Sequence, residues 1–378
     1  MPELAKARVA LVHDWLTGMR GGERCLEVFC ELFPSADLYT LLHVPGSVSP
    51  AIESRRIVTS FIQRLPQAER RYRHYLPLFP AAVRAFDLRG YDLVLSSSHA
   101  VAKGVRVPAG ALHVCYCFTP MRYVWDLYDD YFGPRSGLAT RLLMPPVAAW
   151  LRRWDRRTAA GVHQFVAISR FVADRIGRTY GRAADVIYPP VDVSRFRIED
   201  SPGEFYLVVS ALVPYKRVDL AVAAASRLGR RLLVVGTGPE EAKLRAQAGR
   251  TVEFLGWRDD DEVADLYRRC RALLFPGLED FGIVPLEAMA AGRPVIAFGA
   301  GGALETVTPL DGEEPATGLF FQEQTVEALV QAIGRFEREA HRFSPKSLRA
   351  RAEGFDRPRF KERMAAYLAD RSAEWSRC

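Results

Sequence analysis

Two carboxylates eight positions apart, Glu279 and Glu287, bracket the segment Asp280-Phe281-Gly282-Ile283-Val284-Pro285-Leu286. The segment follows a strand-like run, Ala272–Phe275, and opens a helix predicted over Leu286–Ala291. A helix start offers unsatisfied N–H groups and the positive end of the helix dipole, both suited to phosphate and sugar oxygens. Gly282 lets backbone approach a ligand closely. One carboxylate before such a turn and one on the first helical turn could each accept hydrogen bonds from vicinal hydroxyls. Both would also simply favour a helix N-terminus, and the pattern alone leaves the two readings open.

Other residues of chemical interest are less specific by themselves. Lys216 follows the strand-like run Tyr206–Ser210, where a lone lysine usually reads as a solvated charge. Gly21 and Gly22 come after the first such run, Arg8–His13, and either admit phosphate close to backbone or form an ordinary turn. His99 stands at the end of the run Leu93–Ser97, placed either to face a ligand or to support the structure. Asp259-Asp260-Asp261 contains the Asp-x-Asp spacing of a metal site, but it precedes a helix predicted over Glu262–Arg269. Asp is an expected N-cap and dipole partner there, so we read it as a cap and assign no metal ligands. Six cysteines without paired spacing argue against a zinc site or a disulfide framework and read as small buried hydrophobes.

The elements that must position these residues are legible as alternation. Short apolar runs, including Val114–Phe118, Phe165–Ile168, Leu232–Gly236, Val252–Gly256 and Val295–Phe298, are separated by helical patterns. Continuous β-branched and Leu runs indicate parallel sheets covered on both faces, a doubly wound α/β fold that binds ligands beyond the carboxyl ends of its strands. At 378 residues the chain is too long for one ordinary core and suits two domains. The linker is predicted over Tyr188–Gly203, with Pro189, Pro190 and Pro202, giving domains over 1–198 and 199–355. The remainder, 356–378, contains an amphipathic helix over Arg357–Ser372 with Phe360, Met364, Tyr367 and Leu368 on one face, expected to return to the first domain.

Composition excludes other classes. Hydrophobic content of 49% with 26% charged residues is globular. No apolar run approaches the ~18 residues of a membrane span, and no signal peptide is evident, so a cytoplasmic protein is expected. Residues 1–200 carry 27 Lys and Arg against 19 Asp and Glu, whereas the remainder is nearly balanced. A basic first half suggests an anionic partner there. Nucleic-acid motifs are missing, so no nucleic-acid partner is expected. No G-x-G-x-x-G follows the first strand, which argues against a dehydrogenase.

The stretch Glu279–Glu287, continued by Ala288-Met289-Ala290-Ala291-Gly292-Arg293-Pro294-Val295-Ile296-Ala297, resembles the E-x7-E signature of the group 1 (family 4) glycosyltransferases. The resemblance extends through Val234-Val235-Gly236-Thr237-Gly238-Pro239-Glu240, Phe254-Leu255-Gly256-Trp257 and Gly301-Gly302-Ala303-Leu304-Glu305. The first half resembles the mannosyltransferase branch in His13-Asp14-Trp15-Leu16, Gly21-Gly22-Glu23, Thr119-Pro120-Met121-Arg122-Tyr123, Ile168-Ser169-Arg170 and Val186-Ile187-Tyr188-Pro189-Pro190-Val191-Asp192. Together these imply a GT-B fold, two Rossmann-like domains facing across a cleft, and retaining transfer of a sugar from a nucleotide diphosphate donor.

The resemblance also implies roles. Glu287 would hold the ribose hydroxyls, Glu279 would touch the donor sugar, and the backbone of Phe281, Gly282, Ile283 and Val284 would cradle sugar and phosphate. Lys216, with Arg217, would neutralise the departing diphosphate, and Gly21, Gly22, Gly236 and Gly256 would complete the donor site. His99 would be a catalytic candidate. No cofactor or metal is implied, the nucleotide sugar being a substrate. GDP-mannose is the favoured donor, with a saccharide or polyprenyl-diphosphate-linked acceptor in cell-surface polysaccharide synthesis. Two residues depart from the family pattern: Ala211 stands where relatives usually carry Arg, and Phe118 where many carry His. They motivate an alternative, a sugar-nucleotide binding protein with weakened catalysis; a nucleotide-sugar epimerase of the same fold is another.

A peripheral contact with anionic membrane is also expected of the first half. The segment Leu138–Ala160 holds Trp150 and Trp154 among Arg141, Arg152, Arg153, Arg156 and Arg157. A second cluster comprises Arg64, Arg70, Arg71, Arg73 and His74 with Tyr72 and Tyr75. The competing reading packs both tryptophans inward and leaves the arginines solvated.

Overall fold

The computed structural model describes residues 7–133, 137–199, 201, 203–312 and 314–377; Pro202 of the expected linker and Cys378 lie outside them. The chain divides into two compact units, Met1–Pro189 with Pro358–Cys378, and Pro190–Arg357. The division falls at the start of the predicted linker, so residues 190–198 join the second unit rather than the first. Hydrogen bonding explains this: the Val191 N–H donates to the Phe355 carbonyl at 3.0 Å, and the Arg349 side chain donates through Nη1 to the Phe196 carbonyl at 2.6 Å.

The first unit is built on seven parallel strands: β1 (Val9–His13), β2 (Asp37–Thr40), β3 (Ile57–Thr59), β4 (Leu93–Ser98), β5 (Leu112–Cys117), β6 (Gln164–Ala167) and β7 (Asp185–Val186). Their order is β3-β2-β1-β4-β5-β6-β7. Every residue of β1, β4 and β5 is buried, as expected of a sheet covered on both faces. Its main helices are α1 (Gly21–Leu32), α2 (Leu138–Ala159) and α3 (Arg170–Tyr180).

The second unit has six parallel strands: β8 (Tyr206–Val209), β9 (Leu232–Val235), β10 (Val252–Gly256), β11 (Ala272–Phe275), β12 (Val295–Phe298) and β13 (Gly318–Phe321). Their order is β10-β9-β8-β11-β12-β13. Its main helices are α4 (Val218–Leu228), α5 (Asp260–Arg269), α6 (Ile283–Ala290), α7 (Val326–Glu339) and α8 (Pro345–Glu353). On α4 three of the six buried residues are alanine, Ala221, Ala224 and Ala225, beside Val218, Leu220 and Val222.

Helix α9 (Arg357–Trp375) packs within the first unit. Phe360, Met364 and Leu368, spaced four apart, are its buried stripe. The Phe360 ring lies 5.6 Å from Tyr116 and 5.8 Å from Phe29, and Lys361 pairs with Glu31 at 3.0 Å. Tyr367 differs from the expected apolar face: it is half-buried, and its hydroxyl donates to Asp185 at 2.8 Å.

The five described cysteines are all buried and free. Burial pushes the Cys30 and Cys270 thiols up to about 12, so both stay protonated and behave as apolar side chains.

Candidate active site

In the second unit the strand order reverses between β8 and β11, so loops leaving the carboxyl ends of these adjacent strands meet. The first loop carries Lys216 and the second Glu279, and the two side chains form an ion pair with 21% and 15% exposure. Gly277 makes the approach possible, since a Cβ there would lie 2.9 Å from the Lys216 Cα. Gly302 supports the second loop by donating its N–H to the Glu279 carbonyl at 2.9 Å. A Cβ on Gly302 would come within 2.2 Å of the Phe281 Cα, so the loop tolerates only glycine at this point.

Helix α6 begins at Ile283, with Gly282 as its N-cap at φ +99°, a left-handed conformation that favours glycine. The helix therefore opens three residues before the predicted start at Leu286, and Glu287 lies beyond its first turn. No acidic residue occupies that first turn, which removes the reading of Glu287 as a simple dipole partner. Glu287 instead accepts a hydrogen bond from the Tyr267 hydroxyl at 3.0 Å. Tyr267 is fully buried, and burial first, then the Glu287 carboxylate, hold its hydroxyl pKa well above the ordinary value. It is a permanent donor that fixes one oxygen of Glu287. Sequence reasoning missed Tyr267 because an aromatic on an amphipathic helix reads as core.

The other proposed donor residues are placed as follows. Arg217 has a left-handed backbone at φ +50° and pairs with Asp219 at 3.1 Å, so part of its charge is already neutralised. Gly236 has φ +124°, and a Cβ there would overlap the Ser210 carbonyl at 1.9 Å, a backbone reason for glycine beside any ligand contact. Gly256 has φ +71° with open space around it, and Trp257 after it is 72% exposed. Asp259 caps α5: its carboxylate accepts the N–H groups of Asp261 at 3.1 Å and Glu262 at 2.8 Å, and Glu262 accepts the Asp259 N–H at 3.1 Å. Asp260 pairs with Arg195 at 3.2 Å.

The first unit reverses its strand order between β1 and β4, and polar side chains gather at their carboxyl ends. His13 and Ser97 are register partners, with His13 Nδ1 2.7 Å from Ser97 Oγ. His13 Nε2 lies 3.7 Å from Glu23, whose carboxylate also accepts the Arg20 N–H at 3.1 Å. Burial would raise the Glu23 carboxyl, but the His13 hydrogen bond and charge hold it below the ordinary value. Gly21 and Gly22 are the first two residues of α1, a helix N-terminus rather than a free-standing turn. A Cβ on Gly22 would touch the Phe118 ring at 3.4 Å.

Asp14, fully buried, organises the segment after β4. Its two oxygens accept the N–H groups of His99 (2.7 Å), Ala100 (2.9 Å), Val101 (2.7 Å) and Ala102 (2.8 Å). Asp14 Oδ2 also lies 3.1 Å from His99 Nδ1, which orients the ring edge-on to Trp15 at 4.4 Å between centroids. Burial holds the His99 imidazole below its ordinary value although Asp14 opposes the shift. From sequence only His99 was given a catalytic role; His13, Asp14 and Glu23 stood in the quoted motifs without one, and the signal for Asp14 was a carboxylate directly after a buried parallel strand.

Residues 194–353 match the family model described as Glycosyl transferases group 1, and residues 19–195 match that of Glycosyltransferase Family 4. A GDP-mannose-dependent alpha-(1-6)-phosphatidylinositol monomannoside mannosyltransferase of Mycobacterium tuberculosis is 33% identical over 50% of this chain and 56% of its own. The O-antigen chain mannosyltransferase C of Escherichia coli is 30% identical over 45% of this chain and 47% of its own. The chain thus spans about half the length of the curated relatives it matches. Among solved structures, Anabaena HepE with UDP-glucose superposes with a TM-score of 0.70 at 18% identity, covering 96% of this chain and 99% of that one. With the two family models met in succession and each half folded as a doubly wound parallel sheet, the chain belongs to the group 1, family 4 glycosyltransferases of GT-B fold.

Proposed function

We propose that this chain transfers a hexose from a nucleotide diphosphate donor to a saccharide or polyprenyl-diphosphate-linked acceptor, with retention at the anomeric carbon. The observation that carries this reading is the Lys216–Glu279 pair at the β8/β11 switch point, beside a helix start whose Glu287 is held by Tyr267. The Lys216 ammonium meets the negative charge that grows as the diphosphate leaves, and the first N–H groups of α6 donate to the same oxygens. These charges replace a divalent cation. Glu287, one oxygen held by Tyr267, offers the other to the ribose hydroxyls, and Glu279 accepts from a sugar hydroxyl.

His99 is neutral at working pH, and the Asp14 carboxylate at its Nδ1 favours a proton there, leaving Nε2 as an acceptor. In this reading it orients a hydroxyl. No carboxylate is assigned as a nucleophile, because Glu279 is engaged by Lys216; attack comes on the face the diphosphate leaves, with a donor phosphate oxygen taking the acceptor proton.

GDP-mannose is the donor we favour, supported by the mannosyltransferase relatives. Nucleotide release measured across a panel of nucleotide sugars tests it: preference for GDP-mannose is expected. Preference for a UDP-sugar would overturn the donor and leave the class standing. The product anomer, read by proton NMR, should match the donor's; an inverted product refutes retention.

We further propose a peripheral position at the inner face of the cytoplasmic membrane, through the first unit. No helix among the described residues is long and apolar enough to cross a membrane. Support comes from α2, where Leu138, Leu142, Leu143 and Trp150 are exposed beside exposed Arg141, Arg153, Arg156 and Arg157. Two expected contributors are excluded. Trp154 is 8% exposed and packed so tightly that a Cβ on Gly104 would overlap its ring. Tyr72 is buried against Trp15, with ring centroids 5.1 Å apart.

A further inference from the structure

The carboxyl-terminal half of α2 borders a cavity of about 570 Å³ that lies wholly within the first unit. Four arginines line it, Arg84, Arg106, Arg153 and Arg157, together with the indoles of Trp150 and Trp154, and no Asp or Glu does. All four are exposed, and among the described residues none has a carboxylate within the 4.0 Å of an ion pair. Elsewhere this chain pairs its arginines readily, as in Arg230 with Glu337 at 2.7 Å and Arg335 with Asp311 at 2.5 Å. Like charges converging on a concave wall raise the local potential, and an anion seated among them relieves the repulsion. Trp154 makes the wall rigid, because its ring fills the space a side chain on Gly104 would need.

What distinguishes a lipid from a free phosphate is the rest of α2. Leu138, Leu142 and Leu143 are 71%, 69% and 67% exposed, the most solvent-facing leucines of the described residues. Leu143 and Trp150 are two helical turns apart, and Arg153 and Arg157 continue the same stripe. One stripe therefore passes from apolar leucines, through a tryptophan suited to the interface, to the guanidinium-lined cavity.

We infer that this cavity binds the phosphate-bearing head group of an anionic lipid while the leucines of α2 enter the apolar boundary of the bilayer. The inference rests on the membrane contact proposed above and names the receptor for it. None of its lining residues is among those assigned above to the transfer reaction.

Co-sedimentation of the full chain at low salt with phosphatidylcholine vesicles, with or without phosphatidylglycerol, tests it. The unaltered protein should bind the phosphatidylglycerol vesicles and not the neutral ones. Each arginine near an anionic surface contributes around fivefold, so the double variant Arg153→Glu/Arg157→Glu should lose tenfold or more. Its circular dichroism and its nucleotide release in solution should stay unchanged. Leu142→Ser/Leu143→Ser should also weaken binding. If the charge-reversed protein binds as the parent does, the cavity is not the receptor, though the membrane contact survives. If the parent binds neither vesicle, both fall, while nucleotide release still decides the transferase reading independently. Saturable binding of glycerol 3-phosphate without vesicle binding overturns the lipid assignment. Should the double variant not fold, Arg106→Glu, on a loop, should lose about fivefold or more, and binding equal to the parent's would again remove the cavity as receptor.

Discussion

The Tyr267 hydroxyl and the Glu287 carboxylate, 3.0 Å apart, join α5 to α6 across a site where the donor nucleotide is expected. A buried phenol cannot turn to solvent, so the carboxylate it holds cannot either. The hydrogen bond converts a flexible glutamate into a preset acceptor, and preorganisation of this kind lowers the ordering cost of binding.

Glu287→Ala should therefore raise the donor dissociation constant by about 10- to 100-fold, the loss of a charge-assisted hydrogen-bond acceptor worth about 1.5–3 kcal/mol. Tyr267→Phe should have a smaller effect of the same sign, since it frees the carboxylate without removing it. Isothermal titration of the folded variants checks both, and an unchanged constant for Glu287→Ala removes the ribose role.

Lys216→Ala should lower kcat by about 100-fold or more while changing donor affinity far less, because the charge it meets grows in the transition state. Steady-state kinetics with a direct binding measurement separates the two quantities. Normal turnover in a folded variant rules out the assignment.

Turnover should survive excess EDTA. The Asp259 carboxylate accepts two amides of α5 as its N-cap, which is the ground for reading Asp259 and Asp261 as a helix start and not as metal ligands. Loss of activity on chelation, restored by Mn²⁺ or Mg²⁺, would show that a metal is required after all.

Stability should fall on mild acidification, and His113 should be one cause. It is buried, its Nε2 2.9 Å from Ser96 Oγ, and burial pushes its imidazole down to about 3. Above its ordinary value near 6.5 both folded and unfolded chains hold the ring neutral, and the stabilisation is complete. Below that value the unfolded chain takes up a proton the native ring refuses, so stability is lost as pH falls. The contribution between about pH 7.5 and 5.5 is roughly 1.4 kcal/mol. Urea unfolding across this range should show a shallower slope for His113→Phe than for the parent. Equal slopes would mean that other groups carry the dependence.

Much of this architecture was legible in the residues themselves. Strands such as Ala272–Phe275 and Val295–Phe298 are apolar throughout because both faces of a parallel sheet are covered, and that produces runs no helix of the same length imitates well. Strands β2, β3, β7 and β13 were not legible: β2 and β7 open on Asp, β3 spans three residues and ends on Thr, and β13 opens on Gly, so none presents a continuous β-branched and Leu run. The start of α6 was placed three residues late, after Pro285; the helix instead opens at Ile283 behind the left-handed Gly282, and Pro285 falls in the first turn, where its missing N–H breaks no helical bond.

For the site, the sequence alone determined which residue types stand after which strands: Lys216 after β8, Glu279 after β11, Asp14 after β1 and His99 after β4. Only the tertiary structure decided which of them meet. Lys216 and Glu279 are 63 positions apart, and Asp14 and His99 are 85 apart; each pair converges because its two strands are neighbours where the strand order reverses. Sequence spacing carries no record of that reversal. Strand order is set by how crossover helices pack on the two faces of the sheet, and this packing depends on side chains far from the loops it brings together.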